Sequence, residues 1–403
     1  MNIGNYLNDG KYILSDNPKL QYSGRIGCGR NGMPEMVFPC SFVKWRFKGK
    51  DVAVIVDSQR SYFDVYAGCF IDGVQYTIKL DEGVSRIELL EGGLPKCSPK
   101  MYRTQLVGVE DPGGETKPDK EKEHVDPVFE VNGLHEIMFF KRQDACNIIE
   151  ICGIELDKDA ELLECEPLPE LKIEVYGDSV SAGEVSEALD RTGKPDPEGH
   201  EGKYSNSWYS YSWIAARKLN AQLHDIAQGG IPLLDGTGWF GAQEDLIGME
   251  SIYDKIRYYP DRRNTEKWDF SKYIPDVAVL AFGQNDSHPD DFMKTLREGR
   301  SEGTGADDRN ALEKAENWKT HYRAFIEKLR SLYPDVLVIC TTTILMHDPA
   351  WDDAIDEVVN GINDPKVRHF LYSKNGSGTP GHIRANEAEE MAEELAAFIR
   401  ENI

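Results

Sequence analysis

The stretch from Lys172 to Gly183, which reads KIEVYGDSVSAG, decides how the second half of the chain folds. It begins as a short run of strand-forming residues and ends in a turn with a glycine on either side of Asp178 and Ser179. A buried strand that enters such a turn before a helix is typical of a parallel sheet covered by helices. The turn also exposes the Ser179 hydroxyl among backbone N–H groups. Asp and Ser are common helix caps, so the turn alone does not establish a catalytic site.

Four more apolar runs in the second half repeat this pattern, and each is followed by a helix or by a loop that leads to one. The runs are Gln222–Ala227, Val277–Phe282, Val336–Thr342 and Val367–Tyr372. The last helix is the clearest, because its apolar residues recur at spacings of three and four. These residues are Ala388, Met391, Ala392, Leu395, Phe398 and Ile399. The sequence therefore predicts an α/β domain with a parallel sheet.

The first half has a different rhythm of short alternating segments, from about Lys11 to Leu163, separated by Gly, Asp, Asn and Pro. Examples are VKWRFKG, DVAVIVDSQ and HEIMFFKR, and this pattern predicts an antiparallel β-sandwich or jelly roll. The charged stretch Glu110–Asp126 predicts a solvated loop between strands. The rhythm changes at Cys165–Leu171, so we predict two domains, residues 1–168 and 169–403.

Composition limits the possible partners. The chain has 403 residues, with 46 Lys and Arg against 70 Asp and Glu, a net charge of −24 that repels both nucleic acid and anionic membranes. We find no run of roughly 18 apolar residues that would span a membrane. Met1–Tyr12 lacks the order of a signal peptide, which favours a cytoplasmic location. The eight cysteines show no metal-ligand spacing, so we expect reduced, mostly buried thiols and no metal site.

Three more loops carry residues suited to acyl chemistry. Active groups of an open parallel sheet collect past the carboxyl ends of its strands. Asn285 follows the third run, and its side-chain amide can donate to an oxyanion, although an Asx turn would look the same. Gly229 and Gly230 follow the second run and offer backbone N–H groups, as any tight turn does. His382 lies just before the last helix, and the joint pattern with Ser179 is far less expected by chance than any one part.

Together, the GDS turn with Ser179, the glycine turn at Gly229 and Gly230, the GQND loop with Asn285, and His382 before a final helix resemble the SGNH (GDSL-like) hydrolases. With the N-terminal sandwich and its segment NPKLQYSGRI, the whole chain resembles carbohydrate esterase family 2. Members of that family remove acetyl groups from plant polysaccharides such as xylan and mannan. The resemblance implies a jelly-roll domain followed by a flavodoxin-like SGNH hydrolase domain.

The resemblance also implies roles for individual residues. Ser179 would be the nucleophile and His382 its base. The oxyanion hole would consist of the Ser179 N–H, Asn285 and the Gly230 N–H, with Gly229 as the alternative to Gly230. The wider SGNH pattern has an Asp three residues before the histidine, and this chain has Thr379 there.

A Ser-His dyad is therefore implied, with a backbone carbonyl that orients His382. The open alternative is a carboxylate from another loop, for which the candidates are Asp348, Asp352 and Asp353. Asp286, beside the expected oxyanion hole, we interpret as structural.

Trp239 and Trp351 lie in segments that should border the site, so we expect both to bind sugar rings, with core packing or an exposed loop as the alternative for each. No cofactor is expected, because the nucleophile, its base and the oxyanion donors all come from the chain. The predicted function is removal of acetyl groups from acetylated xylo- or manno-oligosaccharides. Two rivals stay open: an SGNH lipase or thioesterase on other acyl esters, and a carbohydrate-binding protein with an inert esterase domain. The sequence does not indicate an oligomeric state.

Overall fold

The computed structural model describes residues 3–106, 133–242, 245–259, 266–299 and 306–403. The charged stretch Glu110–Asp126, predicted to be a loop, lies outside the described residues.

The first part of the chain forms two seven-stranded sheets in which every strand pair is antiparallel. The strands are β1 (Lys11–Leu14), β2 (Gln21–Ser23), β3 (Ile26–Cys28), β4 (Pro34–Met36), β5 (Phe42–Lys48), β6 (Val52–Arg60), β7 (Val65–Ile71), β8 (Val74–Leu80), β9 (Gly83–Glu91), β10 (Leu94–Pro95), β11 (Met101–Arg103), β12 (Leu134–Lys141), β13 (Asn147–Leu156) and β14 (Glu161–Leu163). One sheet has the order β10-β9-β6-β13-β4-β3, with β1 on β13, and the other has β11-β8-β7-β12-β5-β14, with β2 on β5.

The two sheets enclose one apolar core between them. Val54 and Val56 from β6 pack there with Trp45 and Phe47 from β5, and all four are fully buried. Along β5, buried residues alternate with less buried ones, as a strand with one face on a core requires. The predicted β-sandwich is confirmed.

The second part of the chain forms a five-stranded parallel sheet with helices. Its strands are β15 (Leu171–Gly177), β16 (Ala221–Ala227), β19 (Val277–Ala281), β20 (Leu337–Thr341) and β21 (Val367–His369), and the short strands β17 (Gly241–Ala242) and β18 (Asp245–Leu246) form a separate pair. The helices are α1 (Ser179–Ala182), α2 (Tyr211–Lys218), α3 (Met249–Ile252), α4 (Phe292–Gly299), α5 (Ala306–Leu332), α6 (Ala350–Ile362) and α7 (Ala385–Asn402).

The parallel sheet has the strand order β16-β15-β19-β20-β21. This is the flavodoxin-like order 2-1-3-4-5, in which ligands bind past the carboxyl ends of the strands where the winding direction changes. Here that point lies between β15 and β19, and the loops after β15, β16 and β19 meet at this edge of the sheet. The five predicted strands and the terminal helix are all confirmed.

The sandwich and the α/β part share a buried interface. Arg25, which follows β2, is fully buried, and its Nη2 lies 3.0 Å from Oε1 of Glu174 on β15. Phe38 from the sandwich packs in the same apolar cluster as Tyr176 and Ile226. The predicted boundary between residues 168 and 169 falls between β14 and β15 and stays a prediction.

No helix in the described ranges is long and apolar enough to cross a membrane. All eight cysteines are free thiols, and five of them are buried, namely Cys40, Cys69, Cys146, Cys152 and Cys340.

Candidate active site

A cleft of about 570 Å³ lies past the carboxyl ends of β15, β16 and β19. It brings together Ser179, Gly229, Gly230, Asn285 and His382, which is every residue that the sequence assigned to acyl chemistry. The rest of its described lining is mainly aromatic, polar or glycine, with two aliphatic side chains: Tyr62, Phe63, Glu184, Trp239, Phe240, Gly241, Tyr259, Gln284, Leu345, Met346 and Gly381.

Ser179 is the first residue of α1, directly after β15. Asp178 caps this helix, because its Oδ1 accepts a hydrogen bond of 2.9 Å from the Val180 N–H. At the other end Gly183 adopts φ +75°, a left-handed conformation that ends the helix within one turn. The Ser179 N–H lies at the open amino end of α1, where backbone N–H groups have no partner within the helix. The predicted turn thus places Ser179 at the cleft, at the amino end of α1.

His382 has a carboxylate partner. Its Nδ1 lies 2.7 Å from Oδ2 of Asp196, a residue of the loop between α1 and α2. Arg384 contacts both residues of this pair. Its Nη1 donates to the His382 carbonyl at 2.8 Å, and its Nη2 lies 2.9 Å from Asp196 Oδ1. The expectation that a backbone carbonyl orients His382 is therefore wrong, and the carboxylate alternative is the one that the structure supports.

The carboxylates proposed from the sequence serve elsewhere. Asp352 lies 3.0 Å from Nε2 of a different histidine, His347, and Asp348 forms an ion pair of 2.6 Å with Arg297. Asp353 is exposed on α6.

Thr379, which stands where the SGNH pattern has its Asp, supports the loop that carries Asp196. Its Oγ1 accepts a hydrogen bond of 2.8 Å from the Gly193 N–H and donates one of 2.8 Å to Glu387. The chain thus lacks the usual carboxylate three residues before His382 and supplies one from another loop.

The two glycines after β16 have different roles. The Gly229 N–H donates to Asp144 at 2.7 Å, so it is already engaged. Gly230 has φ +74°, and a Cβ there would lie 2.9 Å from that of Trp239, so only glycine fits. Among the described residues the Gly230 N–H has no hydrogen-bond acceptor. This favours Gly230 over Gly229 as the oxyanion donor.

Asn285 is held by two acceptors at the cleft wall. Its Nδ2 lies 3.2 Å from Asp178 Oδ2 and 3.1 Å from the Ile231 carbonyl. The amide carries two N–H donors, so donation to an oxygen in the cleft requires that one of these two contacts is exchanged. Asp286 turns away, because its carboxylate accepts from the Leu233 N–H at 2.9 Å and from Trp318 Nε1 at 2.8 Å. Its predicted structural role fits these contacts.

The two tryptophans predicted to bind sugar differ in their exposure to solvent. Trp239 lines the cleft, is 65% exposed and stacks on His288 with 3.4 Å between ring centroids. Trp351 is fully buried, packs edge-on against Trp318 and donates its Nε1 to Asp291. Its assignment as a sugar contact is wrong, because α6 begins at Ala350 and turns this side chain into the core.

Several residues of the site have no signal in the sequence that would identify them. Asp196 lies 186 positions from His382 in an irregular segment. Tyr62 and Phe63 come from the turn between β6 and β7, so the sandwich itself supplies part of the cleft wall. Glu184 follows the helix-ending Gly183, and its Oε2 lies 3.5 Å from His382 Nε2.

Three carboxyl groups near His382 have shifted pKa values, and burial is the main cause for two of them. Burial raises the pKa of Asp178 to about 6, although the Val180 N–H and His382 act in the other direction. Burial likewise raises the pKa of Glu184 to about 7, against the attraction of His382. Asp196 behaves differently, because the hydrogen bond and charge of His382, with Arg384, outweigh its burial and lower its pKa. In the described parts of the chain we find no group of three His, Cys, Asp or Glu side chains arranged to hold a metal ion.

Comparisons with known proteins agree with this architecture. Residues 22–96 match the family model for the carbohydrate esterase 2 N-terminal domain. The chain is 29% identical over 282 residues to the cellulase/esterase CelE of Acetivibrio thermocellus, covering 67% of this chain and 30% of CelE. It is 25% identical over 245 residues to an acetylxylan esterase / glucomannan deacetylase of Cellvibrio japonicus, covering 60% of each. The matched regions thus span less than two thirds of either relative.

A solved structure extends the comparison to nearly the whole chain. It is a family two carbohydrate esterase from Clostridium thermocellum in complex with cellohexaose, which superposes with a TM-score of 0.67 at 23% identity, covering 95% of this chain and 98% of that one. This likeness concerns the fold. Residues 22–96 are thus similar to the N-terminal domain of carbohydrate esterase family 2, and the chain resembles a member of that family in the fold of both its parts.

Proposed function

We propose that the protein is a serine esterase that removes acetyl groups from acetylated plant oligosaccharides. The observation that carries this proposal is the 2.7 Å contact between Asp196 and His382 at a cleft that also holds Ser179, Gly230 and Asn285. Nucleophile, base, orienting carboxylate and oxyanion donors are the complete set that acyl transfer requires. The similarity to two named esterases supports the same reaction class.

In the proposed mechanism Asp196 accepts the Nδ1–H of His382, which leaves the Nε2 lone pair available as a base. His382 takes the proton of the Ser179 hydroxyl as its oxygen attacks the acetyl carbonyl. The tetrahedral oxyanion accepts hydrogen bonds from the Ser179 and Gly230 N–H groups and from Asn285. The imidazolium then protonates the departing sugar oxygen, and water releases acetate from Ser179 by the same steps.

A carbohydrate leaving group fits the walls of the cleft. Trp239 offers an exposed ring face at one side, and Tyr62 and Phe63 add two half-buried rings from the sandwich. Sugar rings pack on such faces, and a polar group such as Gln284 can bond their hydroxyls. The solved relative binds cellohexaose, which supports an oligosaccharide in this cleft. A cytoplasmic location stays a prediction.

The test is acetate release from acetylated xylo- and manno-oligosaccharides, resolved by hydroxyl position, with Ser179→Ala as the matched control. Because Ser179 is the proposed nucleophile, its replacement should abolish acetate release. The side chain is small, so the melting temperature should stay within a few degrees of that of the parent. Release by the variant at the rate of the parent would contradict the proposal.

The two rivals have distinct outcomes. A lipase or thioesterase would prefer longer acyl chains in a series of 4-nitrophenyl esters. The similarity to an acetylxylan esterase leads us to expect that acetate is the best substrate. A binding protein with an inert esterase half would retain oligosaccharides and release no acetate.

A further inference from the structure

Glu184 has no part in the mechanism above, yet its carboxylate faces the catalytic side of His382. Glu184 Oε2 lies 3.5 Å from His382 Nε2, the nitrogen that must exchange protons with Ser179 and the leaving group. Only 16% of the Glu184 side chain is exposed. Among the described residues, His382 is the one cationic group within ion-pair distance of Glu184.

The surrounding chain keeps this carboxylate in place. The Glu184 N–H donates to the Ser179 carbonyl at 2.9 Å, which ties the residue to the nucleophile's own turn. A side chain at Gly229 would place its Cβ 2.8 Å from Glu184 Oε2 and 2.9 Å from Asp144 Oδ2. The absence of a side chain at Gly229 therefore leaves the space that both carboxylates use.

The charged groups around His382 come from every element packed against it. Asp196 and His200 belong to the loop between α1 and α2, Asp178 caps α1, and Arg384 precedes α7. Burial lowers the pKa of His382, but the negative charges of Glu184, Asp196 and Asp178 raise it by more. By charge alone Glu184 raises the pKa of His382 most, and Asp196 adds a hydrogen bond to the effect of its charge.

We propose that Glu184 is a positioning residue for His382, which stabilises the imidazolium from the Nε2 side and thereby sets the lowest pH at which the enzyme works. This inference rests on the proposed function. With its proton on Nε2, His382 pairs with Glu184 and cannot act as a base toward Ser179. Loss of that proton frees Nε2, so activity rises with pH through the titration of the His382 and Glu184 pair.

The test measures kcat/KM for 4-nitrophenyl acetate as a function of pH in the parent, in Glu184→Gln and in Glu198→Gln. Product is followed at a wavelength where its absorbance does not depend on pH. Glu198 is the matched control, because it is an exposed carboxylate of the loop that carries Asp196. Glu184→Gln should lower the apparent pKa of the rising limb by about one unit. We divide kcat/KM of each enzyme by its own plateau value. At one pH unit below the parental midpoint, this fraction should be about five times larger in Glu184→Gln than in the parent.

A second measurement keeps the inference testable if Glu184→Gln has little activity. NMR titration of the His382 ring in the Ser179→Ala background reads the same pKa without turnover, and Glu184→Gln should again lower it. An unchanged midpoint in both measurements, or an equal shift in Glu198→Gln, would overturn the inference. Failure of the proposed function looks different, because the parent would then hydrolyse no ester while the NMR titration still reports on Glu184.

Discussion

Replacing Asp196 by Asn and by Ala tests how His382 is held. The Asp196 carboxylate accepts the Nδ1–H at 2.7 Å and so keeps the proton off Nε2, which is the tautomer a base toward Ser179 needs. An Asn amide would present an N–H to Nδ1 and so favour the proton on Nε2. Ala would remove the partner and impose no tautomer.

The two substitutions should therefore differ in size. A charge-assisted hydrogen bond contributes about 1.5 to 3 kcal/mol, which converts to a loss of roughly 10 to 10² in kcat for Asp196→Ala. The wrong tautomer costs roughly 10⁴ in a serine hydrolase triad, and Asp196→Asn should approach that figure. Asp196 is 22% exposed, so in Asp196→Ala water can partly replace the carboxylate and the loss should lie toward the lower end of its range.

The assay is single-substrate kinetics of acetate release, with melting temperature recorded for each variant. Arg384 is fully buried and loses its carboxylate in both variants, so the melting temperature should fall and kcat must be measured well below it. Asp352→Asn is the control, since that carboxylate serves His347, and its kcat should stay close to that of the parent. Folded Asp196→Asn with nearly normal kcat, or with more activity than Asp196→Ala, would refute this account of His382.

Three further predictions follow from the site and the interface. Asn285→Ala should lower kcat by roughly 10² to 10³ and change KM much less, whereas an effect on KM alone would make Asn285 a substrate contact. Trp239→Ala should raise KM for acetylated oligosaccharides and leave KM for 4-nitrophenyl acetate unchanged. The control Trp351→Ala removes a buried ring and should lower the free energy of unfolding by about 3 to 5 kcal/mol. Equal effects of the two variants on KM would contradict the assignment of the two rings. Residues 171–403 expressed alone should be poorly soluble and weakly active, because Glu174 loses Arg25 and the cleft loses Tyr62 and Phe63. Full activity in acetate assays would show that the sandwich is dispensable.

The fold could be predicted because each of its parts has a local pattern. The five apolar runs each became a strand of one parallel sheet, and Ser179, Gly230, Asn285 and His382 met at its edge because they follow strands or precede the last helix. Periodicity and turn residues act over short stretches of chain, so they are visible in a single sequence.

The details of the site depend on contacts that sequence spacing does not encode. Asp196 reaches His382 from a loop 186 positions away. The segment of Trp351 can be placed near the sheet edge from the sequence, but the direction of its side chain depends on where α6 begins. The choice between Gly229 and Gly230 depends on Asp144, a residue of the sandwich that occupies the Gly229 N–H.

The most direct test of the central claim is to trap the acyl-enzyme. The protein is mixed with an acetylated xylo-oligosaccharide, quenched in acid within the first turnover, digested and analysed by mass spectrometry. The account predicts one added acetyl group on the peptide that contains Ser179, and none on that peptide in Ser179→Ala. Acetate release without any acetylated peptide, or with the acetyl group on another residue, would contradict it.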